Sequence, residues 1–158
     1  IVMLKSGALF VRLKTSELKI NGLKQKGMLK EAEVIRIDQE NKNKLIMAAF
    51  KKNFTFCPVY FFYSNHSTQV KEGLYQGLIF DADMNTDLKF SGDKYLIGEY
   101  DESQTTQIAA FFIKDKNYEQ LRSPFPFLIK QNQMLVSTRS DDAIVLLLNE
   151  KLWEFYGK

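Results

Sequence analysis

The sequence predicts an α/β or α+β fold, in which one domain, 1–158, contains a mixed sheet, a helical hairpin at 14–53 and a buried C-terminal helix. Two observations support this prediction. Strand-like apolar runs alternate with helical segments in the first half of the chain, as they do where helices connect parallel strands. The second half has short apolar runs between polar turns, which favours antiparallel strands. A length of 158 residues suits one hydrophobic core.

The first strand and the helical hairpin are predicted from the N-terminal third of the chain. Residues 4–13 contain a strand-like apolar run, and Thr15 and Ser16 after it are good N-cap residues for a helix. Gly27 suits the position just beyond the C-terminus of this first helix. Residues 28–53 contain neither Pro nor Gly and are rich in helix-forming residues, which predicts a long second helix.

Seven polar residues, 38–44, interrupt the apolar stripe of this long helix. A helix that is polar all round over two turns extends into solvent, frays or is covered by a partner, and the first two are commoner. We therefore expect the middle of the helix to stand away from the core. The hairpin is accordingly the predicted surface for a protein partner.

Val59–Tyr63 is predicted to be the central strand, because its near-continuous apolar run indicates that both faces are covered. Pro58 can open a strand but cannot lie in its middle. The turn-forming residues 64–68 follow, and they also offer N-caps for a short helix at 70–73. Residues 77–80 then predict another strand, joined to the first by a short parallel crossover.

The C-terminal half is predicted to contain antiparallel strands and one helix. The candidate strands are 95–100, 108–113, 125–130 and 134–138. Ser140 or Asp141 caps the final helix, and Gly157 ends it. Because its apolar residues share one face, we expect this helix to lie against the sheet.

The charge of the chain is small overall but unevenly distributed. The net charge of +3 is too low to imply a polyanionic partner by itself. Residues 14–52 carry ten basic and five acidic side chains, whereas residues 81–102 carry seven acidic and two basic ones. The basic helices have no interleaved aromatic residues, so we expect no nucleic acid partner.

Composition and glycine spacing exclude several further classes. A single Cys excludes an internal disulfide, and no apolar run reaches the 18 residues of a transmembrane helix. The glycines are scattered singly, so the chain has neither a dinucleotide fingerprint nor a phosphate-binding loop of the Walker type. We therefore expect no transmembrane segment and no cofactor.

A metal site is not expected either. Alternating oxygen ligands like those that open an EF-hand calcium loop occur at Asp81, Asp83, Asn85 and Asp87. However, Thr86 stands where that loop requires Gly, and Gly92 stands where it requires Glu. A single His, His66, also excludes the usual zinc sites. A turn that follows a strand explains the same acidic residues.

No catalytic set is recognisable in the sequence. His66 could serve as a general base, and Ser64 and several Asp residues make a catalytic triad arithmetically possible, but no G-x-S-x-G elbow is present. Cys57 and His66 lie at opposite ends of a strand, about 25 Å apart, so they form no dyad. We assign no catalytic residue.

Position in the fold nevertheless indicates a ligand site. If Val59–Tyr63 is a parallel central strand, the turn after it lies at the carboxyl end of the sheet, where open α/β sheets place their ligand crevices. The turn after the next predicted strand would lie nearby. The ligand-binding candidates are Ser64, Asn65, His66, Asp81 and Asp83.

Four segments of the sequence are distinctive when taken together: LFVRLKT, AAFKKNFTFCPVYFFYS, KEGLYQG and FFIKDKNYEQLRSPFP. Their combination resembles a family of small exported proteins of Bacteroidetes that has no assigned activity. The resemblance would cover most of the chain, and its motifs are structural, so it supplies no catalytic residue. It implies export to the periplasm or cell surface, with a signal peptide removed before Ile1. The absence of an initiator Met agrees with that expectation.

The sequence thus favours a non-enzymatic exported domain that binds a protein partner or a small ligand. The alternative is a hydrolase-like enzyme with an unfamiliar site around Ser64, His66 and Asp81. A structure separates these hypotheses by showing whether those three side chains come within hydrogen-bond reach.

Overall fold

The computed structural model describes residues 4–88, 90–102, 107–133 and 137–157, and the chain folds around a five-stranded sheet. The strands are β1 (Ala8–Leu13), β2 (Val59–Tyr63), β3 (Tyr95–Glu102), β4 (Ala109–Lys114) and β5 (Leu128–Lys130), and a separate small ribbon is formed by β6 (Asn132–Gln133) and β7 (Ser137–Thr138). The helices are α1 (Glu17–Gln25), α2 (Leu29–Asn53), α3 (Ser67–Lys71), which follows a 3-10 turn at Ser64–His66, and α4 (Asp141–Tyr156).

The strand order is β2-β1-β3-β4-β5, and the sheet is mixed as predicted. β1 pairs in parallel with both β2 and β3, whereas β3–β4 and β4–β5 are antiparallel. The α1–α2 hairpin lies between the first two strands in the chain. The single α/β domain is thereby confirmed, although residues 134–136 of the last predicted strand lie outside the described residues.

Two predictions about β2 are wrong. β2 is an edge strand of the sheet, and β1, β3 and β4 are the strands with neighbours on both sides. Residues 77–80 form no parallel strand, because Phe80 makes one antiparallel bridge to Phe61. This bridge covers the free edge of β2, while side chains cover both of its faces. A continuous apolar run indicates that both faces of a strand are covered. It does not show whether the strand lies at the centre or at the edge of the sheet.

Helices cover both faces of the sheet. Leu9, Val11 and Leu13 of β1 face a core cluster that includes Phe50 of α2 and Leu148 of α4. The alternate side chains of β1 and β2 face a second cluster with α3 and the segment after it, whose members include Phe10, Phe62, Val70 and Ile97. This alternation follows from the two-residue period of a strand.

The ends of the predicted helices are largely confirmed. Ser140 caps α4, since its Oγ accepts a hydrogen bond from the Ala143 N–H at 3.2 Å. Gly157 follows α4 and Gly27 follows the first helix, each with a φ of 74° that suits glycine. No helix among the described residues is long and apolar enough to cross a lipid bilayer.

Gly98 is predicted to be the least replaceable glycine in the sheet. A Cβ atom at this position of β3 would lie 2.5 Å from Cζ of Phe111 and 3.4 Å from Cδ1 of Leu9. We expect Gly98→Ala to lower the free energy of unfolding by about 1–3 kcal/mol through overpacking, measured by urea denaturation. Gly22→Ala is the control, because nothing lies within 4 Å of a Cβ there and alanine favours a helix. A Gly98→Ala protein as stable as the wild type would contradict this packing.

Candidate functional site

The order of the strands reverses at β1, and this identifies the edge of the sheet where a ligand site is expected. The chain passes from β1 to β2 on one side and then returns across β1 to reach β3 on the other. α2 packs on one face during the first connection, and α3 packs on the opposite face during the second. Such a reversal leaves a crevice outside the carboxyl ends of the parallel strands.

Two adjoining clefts, which we call together the carboxyl-edge cleft, open at this position. Their volumes are about 460 Å³ and 390 Å³, a size typical of small-molecule sites. Both clefts are lined by Lys14, Thr15, Glu17 and Asn65. The first extends to Arg12 and the start of α1, and the second extends between α1 and α2. The walls are therefore the loop after β1, the helical hairpin and the turn after β2.

Ser64 and Asn65 lie in this cleft, where they bind the loop that follows β1. The backbone N–H of Thr15 donates to Ser64 Oγ at 3.2 Å, and the two hydroxyl oxygens are 3.1 Å apart. Asn65 Nδ2 donates to Glu17 Oε1 at 3.1 Å. These contacts fix the turn after β2 against the loop after β1, so the two strand ends form one wall.

The polar segment of α2 supports the same loop. Asn43 is only 6% exposed, and its Nδ2 donates to the carbonyl oxygen of Lys14 at 2.9 Å. Gln39 Nε2 donates to Asn43 Oδ1 at 3.1 Å, and Ser16 Oγ donates to Gln39 Oε1 at 2.7 Å. The expectation that this segment stands away from the rest of the fold is wrong for these two side chains, because they hold the loop after β1 through the Lys14 carbonyl and Ser16. The other five residues of 38–44 are exposed.

Ser16 is the N-cap residue of α1, but it does not cap the helix with its side chain. Its backbone is left-handed, with φ 56° and ψ 22°, and its hydroxyl is used by Gln39. No side chain of the described residues caps the first turn of α1.

A buried charge network lies beside the cleft, between β1, β3 and β4. Glu99 is only 5% exposed and stands opposite Arg12 in the parallel register. Its Oε2 accepts from Arg12 Nη1 at 2.6 Å, and its Oε1 accepts from Lys114 Nζ at 2.5 Å. Lys114 also reaches Asp101 Oδ2 at 3.2 Å. Two cations thus neutralise a carboxylate that could not remain charged alone at this depth.

The charges of this network shift the pKa values of its members. Burial lowers the pKa of Lys114, but hydrogen bonds and charge from Glu99 and Asp101 outweigh it, and the net pKa is raised. Burial raises the pKa of Asp101, but the Glu102 N–H and Lys114 outweigh it, and the net pKa is lowered. Both groups therefore keep their charges across the neutral pH range.

The network is joined to the turn after β2 through Ser67. Arg12 Nε donates to Ser67 Oγ at 2.8 Å, and Ser67 Oγ donates to the carbonyl oxygen of Ser64 at 2.6 Å. The Tyr118 hydroxyl donates to the carbonyl oxygen of Ser67 at 3.2 Å. Sequence reasoning missed Arg12 and Glu99, although a charged residue inside each of two apolar strands was a visible signal. Their pairing depends on a register that the sequence does not show.

The remaining predicted site residues do not join the cleft. His66 is half-buried, and no described group accepts from or donates to its buried Nδ1. Phe80 pairs antiparallel with β2, so the chain that follows Phe80 runs toward the amino end of β2. Asp81 and Asp83 therefore lie away from Ser64, which follows the carboxyl end of β2. Lys51, near the end of α2, contacts Asp83 there at 2.5 Å. The expected proximity of the two turns is therefore wrong.

Asp81 stabilises its own turn. Its Oδ1 accepts from the backbone N–H groups of Asp83 at 2.9 Å and Asn85 at 3.0 Å, as in an Asx-turn. No group of three or more potential metal ligands of the His, Cys, Asp or Glu type is found among the described residues. Ser64, His66 and Asp81 are not joined by hydrogen bonds, so the hydrolase-like alternative has no assembled catalytic set.

Cys57 lies just before β2, away from the carboxyl-edge cleft. Burial raises the pKa of its thiol to about 12, which keeps it protonated and unreactive at neutral pH.

Comparisons with protein-family models, curated proteins and solved structures give no significant match.

Proposed function

We propose that this chain is a non-enzymatic domain that binds a small polar ligand in the carboxyl-edge cleft. The observation that carries the proposal is the cleft itself, at the reversal of strand order, with two adjoining volumes of ligand size. The resemblance to exported proteins supports a location in the periplasm or at the cell surface.

A small ligand is favoured over a protein partner because of what the helical hairpin does. The polar side chains of Gln39 and Asn43, which suggested a partner surface, hold the loop after β1 in place. They build a concave wall that includes the amide of Asn65 and the hydroxyl of Thr15. A few polar groups fixed around a concavity are typical of small-molecule sites.

Binding is favoured over catalysis by how the side chains of the cleft are used. The Ser64 hydroxyl contacts Thr15, and the Asn65 amide donates to Glu17. A nucleophile would need an adjacent general base, and the side chain of His66 makes no hydrogen bond to Ser64 within the described residues. The described contacts position the walls of the cleft and supply no activated group.

Thermal denaturation with a panel of sugars, amino acids, nucleosides and their phosphorylated forms tests this proposal. A ligand that binds the folded state raises the melting temperature. Asn65→Trp is designed to fill the cleft, and Asn41→Trp is the matched control on the exposed side of α2. We expect at least one compound to stabilise the wild type and Asn41→Trp, but not Asn65→Trp. Equal stabilisation of both variants, or none by any compound, would contradict the proposed site.

A further inference from the structure

Arg12 has hydrogen-bonding capacity that the fold leaves unused at the cleft. Two of the five N–H groups of its guanidinium donate to Ser67 Oγ and Glu99 Oε2. No described residue accepts from its Nη2 atom. The side chain is 26% exposed and forms part of the cleft wall. Both N–H groups of Nη2 and the second N–H group of Nη1 therefore remain available to donate charge-assisted hydrogen bonds to an oxyanion.

Glu99 and Ser67 hold this guanidinium in one orientation. Glu99 is buried and held in turn by Lys114, and Ser67 is held by the carbonyl oxygen of Ser64. A long flexible side chain normally loses rotamer freedom on binding, and a preorganised one loses less. The buried network therefore lowers the entropic cost of an anion contact at Arg12.

The charge of the cleft has the same sign as Arg12. Its lining includes five basic residues, Arg12, Lys14, Lys19, Lys24 and Arg36, and two acidic ones, Glu17 and Glu40. Glu40 is paired with Arg36, whereas Glu17 keeps its negative charge, because the Asn65 amide that donates to it is neutral. The ammonium groups of the three lysines make no ion pair with the described residues. Free positive charge thus exceeds free negative charge in this cleft, which favours an anionic ligand.

We propose that the ligand of the carboxyl-edge cleft carries a phosphate or carboxylate group, and that the unused N–H groups of Arg12, above all those of Nη2, bind this group. Glu99, Ser67 and Lys114 are positioning residues in this arrangement. The inference rests on the proposed function and deepens it, because it names the chemical class of the ligand and the side chain that contacts it.

Isothermal titration calorimetry at low ionic strength tests the inference with inorganic phosphate, pyrophosphate and succinate as probes. We expect saturable binding of at least one probe, and Arg12→Gln to weaken it by about tenfold or more, since a charge-assisted contact is lost. Arg122→Gln removes the same charge from an exposed position outside the cleft and should change the affinity by less than about twofold. The phosphate and succinate arms distinguish the two anion classes.

A second variant covers the case in which Arg12→Gln does not fold. Arg12→Lys keeps a cation opposite Glu99, but a single ammonium nitrogen cannot contact Glu99, Ser67 and an oxyanion as the extended planar guanidinium can. We therefore expect this variant to fold and to bind the probe more weakly than the wild type. Equal effects of Arg12→Gln and Arg122→Gln, wild-type affinity in Arg12→Lys, or no saturable binding of any probe would overturn the inference.

The failure of this inference can be distinguished from the failure of the proposed function. If a neutral compound stabilises the wild type but not Asn65→Trp, while the binding of no anion depends on Arg12, the cleft is a binding site and the proposed ligand class is wrong. If stabilisation by no compound depends on Asn65, the cleft is excluded as the binding site. If the binding of an anion depends on both residues, both proposals are supported.

Discussion

Replacing Glu99 by alanine is expected to lower the free energy of unfolding by about 3–5 kcal/mol, because it leaves two poorly solvated cations without their shared carboxylate. Glu99 is 5% exposed and accepts from both Arg12 and Lys114. Removal of one member of a buried charge set costs more than its interactions contributed, since the remaining charges cannot recover full hydration. Urea denaturation at neutral pH, followed by circular dichroism, measures this loss.

Asp101→Ala is the matched control for this variant. Asp101 lies on the same strand and pairs with the same Lys114, but its side chain is 45% exposed. We expect this change to cost less than about 1 kcal/mol, as is usual for an exposed ion pair. A triple variant with apolar residues of similar size at Arg12, Glu99 and Lys114 should recover most of the lost stability. Equal losses for Glu99→Ala and Asp101→Ala would show that the network is not effectively buried.

Phe50→Ala is expected to lower the free energy of unfolding by about 3–5 kcal/mol, because it creates a cavity between α2 and the sheet. Phe50 is fully buried, and its ring centroid lies 5.5 Å from that of Phe54, 6.0 Å from Phe61 and 5.5 Å from Phe111. The change therefore removes aromatic contacts with β2 and β4 at once. Equilibrium denaturation in guanidinium chloride gives the value.

Leu45→Ala on the same helix is the control for the core substitution. Leu45 is 64% exposed, so its removal should change the free energy of unfolding by less than about 0.5 kcal/mol. Helix propensity changes little between Leu and Ala, so the comparison isolates burial. If Leu45→Ala proved as destabilising as Phe50→Ala, the face of α2 that packs on the sheet would be assigned wrongly.

Most of the elements could be predicted because their signals are local. The absence of Pro and Gly defines α2, a Ser and a Gly bound α4, and polar turns separate the later strands. Strand order is not local. The apolar run of β2 indicated coverage of both faces but could not show that Phe80 covers its edge, and this led to a wrong central position and a wrong neighbour for Asp81.

Half of the candidate site was predictable for the same reason. Ser64 and Asn65 follow a strand, and the carboxyl end of a parallel strand is a general location for ligands. Arg12 and Glu99 are separated by 87 residues, and only the register of β1 and β3 places them opposite each other. Asn43 illustrates the same limit, because its polar character within an apolar stripe is explained by the Lys14 carbonyl, which lies 29 residues away.

A heteronuclear NMR titration with inorganic phosphate shows whether the carboxyl-edge cleft binds an oxyanion. We expect saturable shifts of the backbone amide resonances at 14–17 and 64–67, and we expect these shifts to be lost in Arg12→Gln but kept in Arg122→Gln. Shifts confined to the amino end of the parallel strands, around Asp81–Asn85, or no saturable shifts at the cleft would contradict this proposal.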